Sequence, residues 1–122
     1  MAVPRVRTEL RVAAMLRRAS AAGAFATVVR RGDPDAGAIA VKSYLGRGRA
    51  RAFFEARDAD GGHLWREPLA PGDDGDAAPP EGSEAPEGSE AQVDEALRRE
   101  ADFDPDLWIV EIEDAAGRAF LD

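Results

Sequence analysis

The chain has 122 residues, no cysteine and a formal net charge of −8 at pH 7. That length suits one domain with a real core rather than two. Without cysteine there is no disulfide scaffold, thiolate zinc site or cysteine nucleophile, and a reducing cytoplasm is the expected setting.

No apolar segment follows Arg5, Arg7 and Arg11, so no secretory leader is read. No apolar run approaches the roughly 20 residues needed to span a bilayer, so no membrane association is expected. The charge is unevenly spread. Residues 1–66 hold 13 bases and 6 acids, residues 67–92 hold 8 acids and no base, and residues 93–122 hold 3 bases and 10 acids. The simplest expectation is that the two ordered parts pack together with complementary charges. The sharper one is a basic surface for an anionic partner.

Val12, Met15, Leu16, Ala19 and Ala22 follow helical spacing and predict a helix over roughly 9–22, with Thr8 as N-cap and Gly23 just past its end. Arg11, Arg17 and Arg18 fall largely off that stripe. An early strand through Leu10, Val12 and Ala14 is the competing reading. Short β-like segments follow at 25–31, 38–45, 49–57 and 63–67. Turns by composition separate them at 32–37, 46–48 and 58–62. Such short connections favour antiparallel neighbours, so the expectation is a meander.

Residues 70–91 contain alanine as their only apolar type and carry a tandem hexapeptide, Pro80-Glu81-Gly82-Ser83-Glu84-Ala85 repeated as Pro86-Glu87-Gly88-Ser89-Glu90-Ala91. A segment with so little to bury does not offset its ordering entropy, so it reads as a flexible acidic insertion. Its functional alternative is an acidic docking segment. Ser89 with Gln92 forms a capping-box pattern, and Val93, Ala96, Leu97 and Ala101 predict a second helix over roughly 90–102. Pro105 stops it. Residues 107–113 are the most β-prone apolar run in the chain. The turn Asp114-Ala115-Ala116-Gly117 follows, and residues 118–121 are expected to pair back.

Two motifs carry a resemblance. Gly32-Asp33-Pro34-Asp35-Ala36-Gly37 leads into an apolar strand. Phe103-Asp104-Pro105-Asp106-Leu107-Trp108-Ile109-Val110-Glu111-Ile112-Glu113-Asp114 is followed by Gly117-Arg118 and Phe120-Leu121-Asp122. With Leu16-Arg17-Arg18 and Gly23-Ala24-Phe25-Ala26, the chain resembles a bacterial family, domain of unknown function 1491, over nearly its whole length except residues 70–91. The resemblance implies a small, single-domain bacterial protein. It lends no activity, cofactor or catalytic residue.

The acids around the last strand are the most inviting site. Asp102, Asp104 and Asp106 are spaced like the start of a calcium loop, with Glu113 at the twelfth position. The glycine such a loop needs is missing, and residues 107–112 read as strand. A turn in which one Asp accepts backbone N–H groups is the simpler account. Alternation puts Glu111 and Glu113 on one face, where ion pairs with Arg17, Arg18, Arg30 or Arg31 are favoured over a paired-carboxylate acid–base site. His63 is the single histidine, so a histidine-based metal site would need carboxylates to complete it. Ser20 and Ser43 lie near no evident base. Arg47, Arg49 and Arg51, interleaved with Gly46 and Gly48, form a basic hairpin tip suited to phosphate. The tip lacks the ending of a P-loop, and nearby Phe53 and Phe54 read as core rather than as base-stacking residues.

The sequence therefore predicts an α+β single domain: a mainly antiparallel sheet, meander plus C-terminal strand, with two packed helices and the acidic insertion. A non-enzymatic binding or adaptor module, acting on a protein partner or a second copy, is the favoured function, and no cofactor is expected. The alternatives are a small metal-assisted hydrolase-like enzyme using Asp104, Asp106, Glu111 and Glu113, and nucleic-acid contact through the hairpin.

Overall fold

A computed structural model describes residues 6–57, 62–67 and 88–121. The elements run α1 (Thr8–Ala21), β1 (Phe25–Arg30), β2 (Ile39–Gly46), β3 (Arg49–Arg57), β4 (His63–Arg66), α2 (Glu90–Phe103) and β5 (Trp108–Glu113). The architecture is α+β, with five mostly antiparallel strands in the order β1-β5-β2-β3-β4. The expected meander holds from β2 to β4. It does not hold between β1 and β2, because β5 enters between them. β5 runs antiparallel to β1 and parallel to β2. Pairing inferred from short connections misses a strand that arrives from far along the chain.

Alternation along β5 builds two cores. Trp108, Val110 and Ile112 join Ile39, Val41 and Phe53 beneath Val12 and Met15 of α1. Ile109 joins Ala40, Ala50, Ala52 and Phe54 beneath Val93 and Leu97 of α2. The helices thus cover opposite faces, which is what a strand apolar on both sides requires. The competing strand reading of residues 10–14 fails because Val12, Met15 and Ala19 are buried at helical spacing.

Helix α1 starts differently from the expectation. Arg7 is its N-cap and makes no side-chain cap bond. The Thr8 and Glu9 amides donate to the carbonyls of Asp35 and Pro34, and the Thr8 hydroxyl donates to Gly37 O at 2.7 Å. A distant loop, rather than a neighbouring side chain, satisfies the helix start. Arg11, expected off the apolar stripe, is buried and pairs with Glu55 on β3 at 2.5 Å. Ser89 caps α2 as expected, accepting from Gln92 N. Residues 88–91, the end of the expected insertion, lead into α2 and hydrogen-bond to the β2–β3 hairpin through Ala50 N to Gly88 O and Glu90 N to Gly48 O. The rest of that insertion, residues 70–87, and the docking role weighed for it lie outside the described residues.

The two motifs that carry the family resemblance meet in one junction. Trp108 Nε1 donates to Asp33 O at 2.7 Å, Asp33 N donates to Asp106 O, and Trp108 N donates to Ala38 O. A Cβ on Gly32 or Gly37 would fall 2.0 or 2.3 Å from Asp106 O. Only glycine permits that approach. The Arg31 guanidinium lies 5.4 Å from the Trp108 ring centre, and Arg30 donates to the carbonyls of Pro105 and Leu107.

Residues 118–121 form no strand. Instead Asp114 accepts from the Arg118 guanidinium at two points and from the backbone amides of Arg118 and Ala116. The Arg118 side chain, then its amide and that of Ala116, hold the Asp114 carboxyl down at about 2.

Trp108→Ala should cost about 3–5 kcal/mol in urea denaturation, as for a buried aromatic. Asp114 is ionised in the folded chain well below the ~3.9 of an unfolded aspartate. Its contribution is therefore complete above that value and is lost as pH falls from about 4 towards about 2. In that window Asp114→Asn should flatten the loss of thermal stability relative to the parent.

Candidate functional site

The α2-side face of the sheet is only partly covered. Helix α2 packs on β3 and part of β2, and β1 and β5 extend beyond it. On this face β2 presents Ala40, Lys42 and Tyr44, β5 presents Ile109, Glu111 and Glu113, and β1 presents Phe25 and Thr27 opposite Glu113 and Glu111. Phe25 is 78% exposed. Apolar residues close the inner end of this row, and polar and aromatic ones its outer end.

Lys42 is the hub. Its side chain is 8% exposed, and its Nζ lies 2.7 Å from Glu90, 2.8 Å from Asp94 and 3.1 Å from Glu111. Glu90 and Asp94 stand one turn apart on α2, so a single ammonium ties the first turns of the helix to two strands. Burial works against the lysine charge, but the hydrogen bonds that the ammonium donates to Asp94, Glu90 and Glu111 outweigh it and hold the pKa above the ordinary lysine value. A lysine so held keeps its charge as the centre of the cluster. Its three acceptors, 36–55% exposed, and the exposed Glu113 set four carboxylates against one cation.

Two adjoining hollows mark the uncovered part. One, of about 320 Å³, is lined by Phe25, Thr27, Glu111 and Glu113. The other, of about 310 Å³, is lined by Phe25, Tyr44, Glu113 and the turn at Asp114 and Ala115. They share Phe25 and Glu113, so together they make a trough with aromatic walls and an acidic floor.

The expected site residues fall into three places. Glu111 and Glu113 share the trough, as alternation predicts. Glu111 pairs with Lys42 rather than with Arg17, Arg18, Arg30 or Arg31. Of these arginines, Arg30 is spent on backbone carbonyls and Arg31 on Trp108, while Arg18 reaches Phe120 O. Asp104 and Asp106 lie at the other end of β5, about 16 Å away for five strand residues. There the Asp104 carboxylate accepts from Asp106 N in a turn, and the Asp106 side chain is exposed. Among the described residues no three His, Cys, Asp or Glu side chains come together as a metal cluster.

Arg47, Arg49 and Arg51 do follow one another through the β2–β3 hairpin. Arg47 sits at the tip with φ 56° and is exposed, as is Arg49. Arg51 is paired with Glu67 and lies 4.9 Å from the Phe53 ring centre; the Glu67 hydrogen bond, against some desolvation, raises its pKa. Among the described residues the basic tip is therefore two exposed arginines without an ion-pair partner and one already matched.

Lys42, Glu90, Asp94, Phe25 and Tyr44 were not singled out from the sequence as site residues. Lys42 alone breaks the inward-facing row of β2, and Glu90 and Asp94 stand at i, i+4. Both signals are present, but neither says that helix and strand meet.

A family profile described as "Protein of unknown function (DUF1491)" matches residues 6–122. The crystal structure of a DUF1491 family protein from Caulobacter crescentus CB15 is similar, with 42% identity, 96% of this chain and 95% of that chain covered, and a TM-score of 0.77. An NMR structure of a DUF1491 family protein from the same organism shows 40% identity, 98% and 94% coverage and a TM-score of 0.76. The solution structure of protein Atu0922 from A. tumefaciens shows 29% identity, 97% and 93% coverage and a TM-score of 0.72. No curated protein matches. No described helix is long and apolar enough to cross a membrane.

Lys42→Met should destabilise the fold by about 2–3 kcal/mol in urea denaturation. That lies below the loss for a wholly buried pair because the carboxylates are partly solvated. Lys42→Arg should recover part of it.

Proposed function

We propose that this chain, which belongs to the DUF1491 family of proteins of unknown function, is a non-enzymatic binding module whose α2-side trough takes a basic segment of a protein partner. The observation that carries this is Phe25. A large aromatic side chain stands 78% exposed beside two carboxylates, on the part of the face that α2 leaves open. Exposed apolar surface rimmed by charge of one sign is what a docking site needs. Glu90, Asp94, Glu111 and Glu113 against Lys42 leave a local balance of −3, which favours a cationic partner and speeds its approach.

The catalytic alternative has less support. Glu111 is committed to Lys42, and Asp104 and Asp106 belong to a turn at the far end of the strand. A cytoplasmic setting suits the cysteine-free composition.

The test is an amide-shift titration with a short peptide of alternating lysine and valine, and with its glutamate–valine counterpart. The basic peptide should shift Phe25, Thr27, Tyr44, Glu111 and Glu113, and weaken with salt. Glu113→Lys should reduce its affinity at least fivefold. Shifts scattered over the whole surface, or equal binding of the acidic peptide, would refute the reading.

A further inference from the structure

We propose that a second copy of this chain pairs with the outer edge of β1, about a two-fold axis passing beside Thr27 and Ala13. Phe25 and Glu113 serve both this pairing and the basic-segment reading, but the pairing is made through the edge of β1 and the segment through the face of the sheet.

β1 ends the sheet order, so among the described residues one side of it is unpaired. Edge strands of monomers are guarded by charge, proline, brevity or a bulge, and β1 has such devices only at its far end, a register shift between Val28 and Arg30 and the charge of Arg30 itself. Residues 23–29 carry no charged side chain and no proline. Phe25 and Val29 are 78% and 59% exposed there. On the α1 side, an apolar hollow of about 260 Å³ runs beside the strand. It is lined by Glu9, Leu10, Ala13, Leu16, Val28 and Arg31, with Leu10 54% exposed. The rim is thus apolar on both faces.

The arrangement is complementary to itself. Antiparallel pairing centred on Thr27 sets Phe25 of each copy opposite Val29 of the other, one aromatic against one β-branched residue. Ala24 N donates to Ala19 O, which fixes how α1 lies along β1. From there Thr27 is three strand residues on, about 10 Å, and Ala13 is six helical residues back, about 9 Å. One axis therefore serves both elements. About Ala13 it sets Leu10 opposite Leu16 and Glu9 opposite Arg17. Ala13 meets its own copy, where a small side chain permits close helix approach.

Charge also matches end to end. Glu113 lies beside Phe25 at the start of β1, and at its finish stand the positive charges of Arg30, held by the carbonyls of Pro105 and Leu107, and of Arg31, held over Trp108. An antiparallel pair brings the basic finish of each copy to the acidic start of the other. The register shift between Val28 and Arg30 limits the strand overlap, which is why the helix contact is needed as well. In such a pair the two troughs adjoin across one continuous sheet.

Sedimentation equilibrium from about 5 to 500 µM should show a monomer–dimer equilibrium, the monomer being 13.0 kDa. Phe25→Asp should raise the dissociation constant at least tenfold with an unchanged melting curve, since that side chain is exposed. The chain has no cysteine, so Thr27→Cys under mild oxidation should give a disulfide-linked dimer, and Arg99→Cys, exposed on α2, should not. A monomer at every concentration, or a dimer indifferent to Phe25→Asp and uncrosslinked at residue 27, would overturn the proposal. Either result leaves the peptide titration to stand or fall by itself.

Discussion

The whole molecule is built around the need to cover β5 on every side. Its neighbours β1 and β2 take its backbone groups, and of residues 107–112 all but Glu111 are buried. A strand in that position needs an apolar layer above and another below, and α1 and α2 supply one each. It also needs a lead-in that leaves the preceding helix and enters the sheet without stray polar groups. The Asp104–Asp106 turn, closed against Gly32 and Gly37, meets that need. The resemblance motifs are thus the two halves of one packing contact, and their residues are accounted for by geometry before any chemistry is invoked.

Each helix is also tied to the sheet by one buried cation. Arg11 of α1 reaches Glu55 of β3, and Lys42 of β2 reaches Glu90 and Asp94 of α2. Buried ion pairs add little net stability when formed and cost much when broken. Their value here is positional: an apolar stripe tolerates sliding along a sheet, whereas a charge without its partner does not. The acids left over after Lys42 is matched are those on the open face. There the sheet's structural needs end and its surface chemistry begins.

Most elements were legible because their signals are local. The stripes of both helices, the Ser89 cap, the breaks at 32–37 and 46–48 and the strand before Asp114 follow from spacing and turn chemistry a few residues wide. The illegible parts depend on contacts between distant segments. Nothing near Thr8 shows that carbonyls of residues 34, 35 and 37 receive its donors. Nothing near Arg11 shows that Glu55 awaits it. The insertion of β5 between β1 and β2 has no local signature. The site followed the same rule: Glu111 and Glu113 were placed on one face by alternation, but their balancing cation was sought among the arginines. Nothing near Lys42 shows its acid partners, because the helix that buries it begins nearly fifty residues later.

The strand order has a bearing on how the protein is made. β1 and β2 leave the ribosome early, yet they share no hydrogen bonds and wait for a common neighbour that starts at Trp108. β2, β3 and β4 can zip as successive hairpins in the meantime. β1, uncharged from residue 23 to residue 29, cannot be enclosed until β5 has been synthesised and the long loop closed. During that interval α1 is the only described element able to shield it, through the tight turn at Gly23 and the Ala24–Ala19 hydrogen bond. Through that turn and hydrogen bond, the helix that precedes β1 covers one of its faces without any contribution from β5.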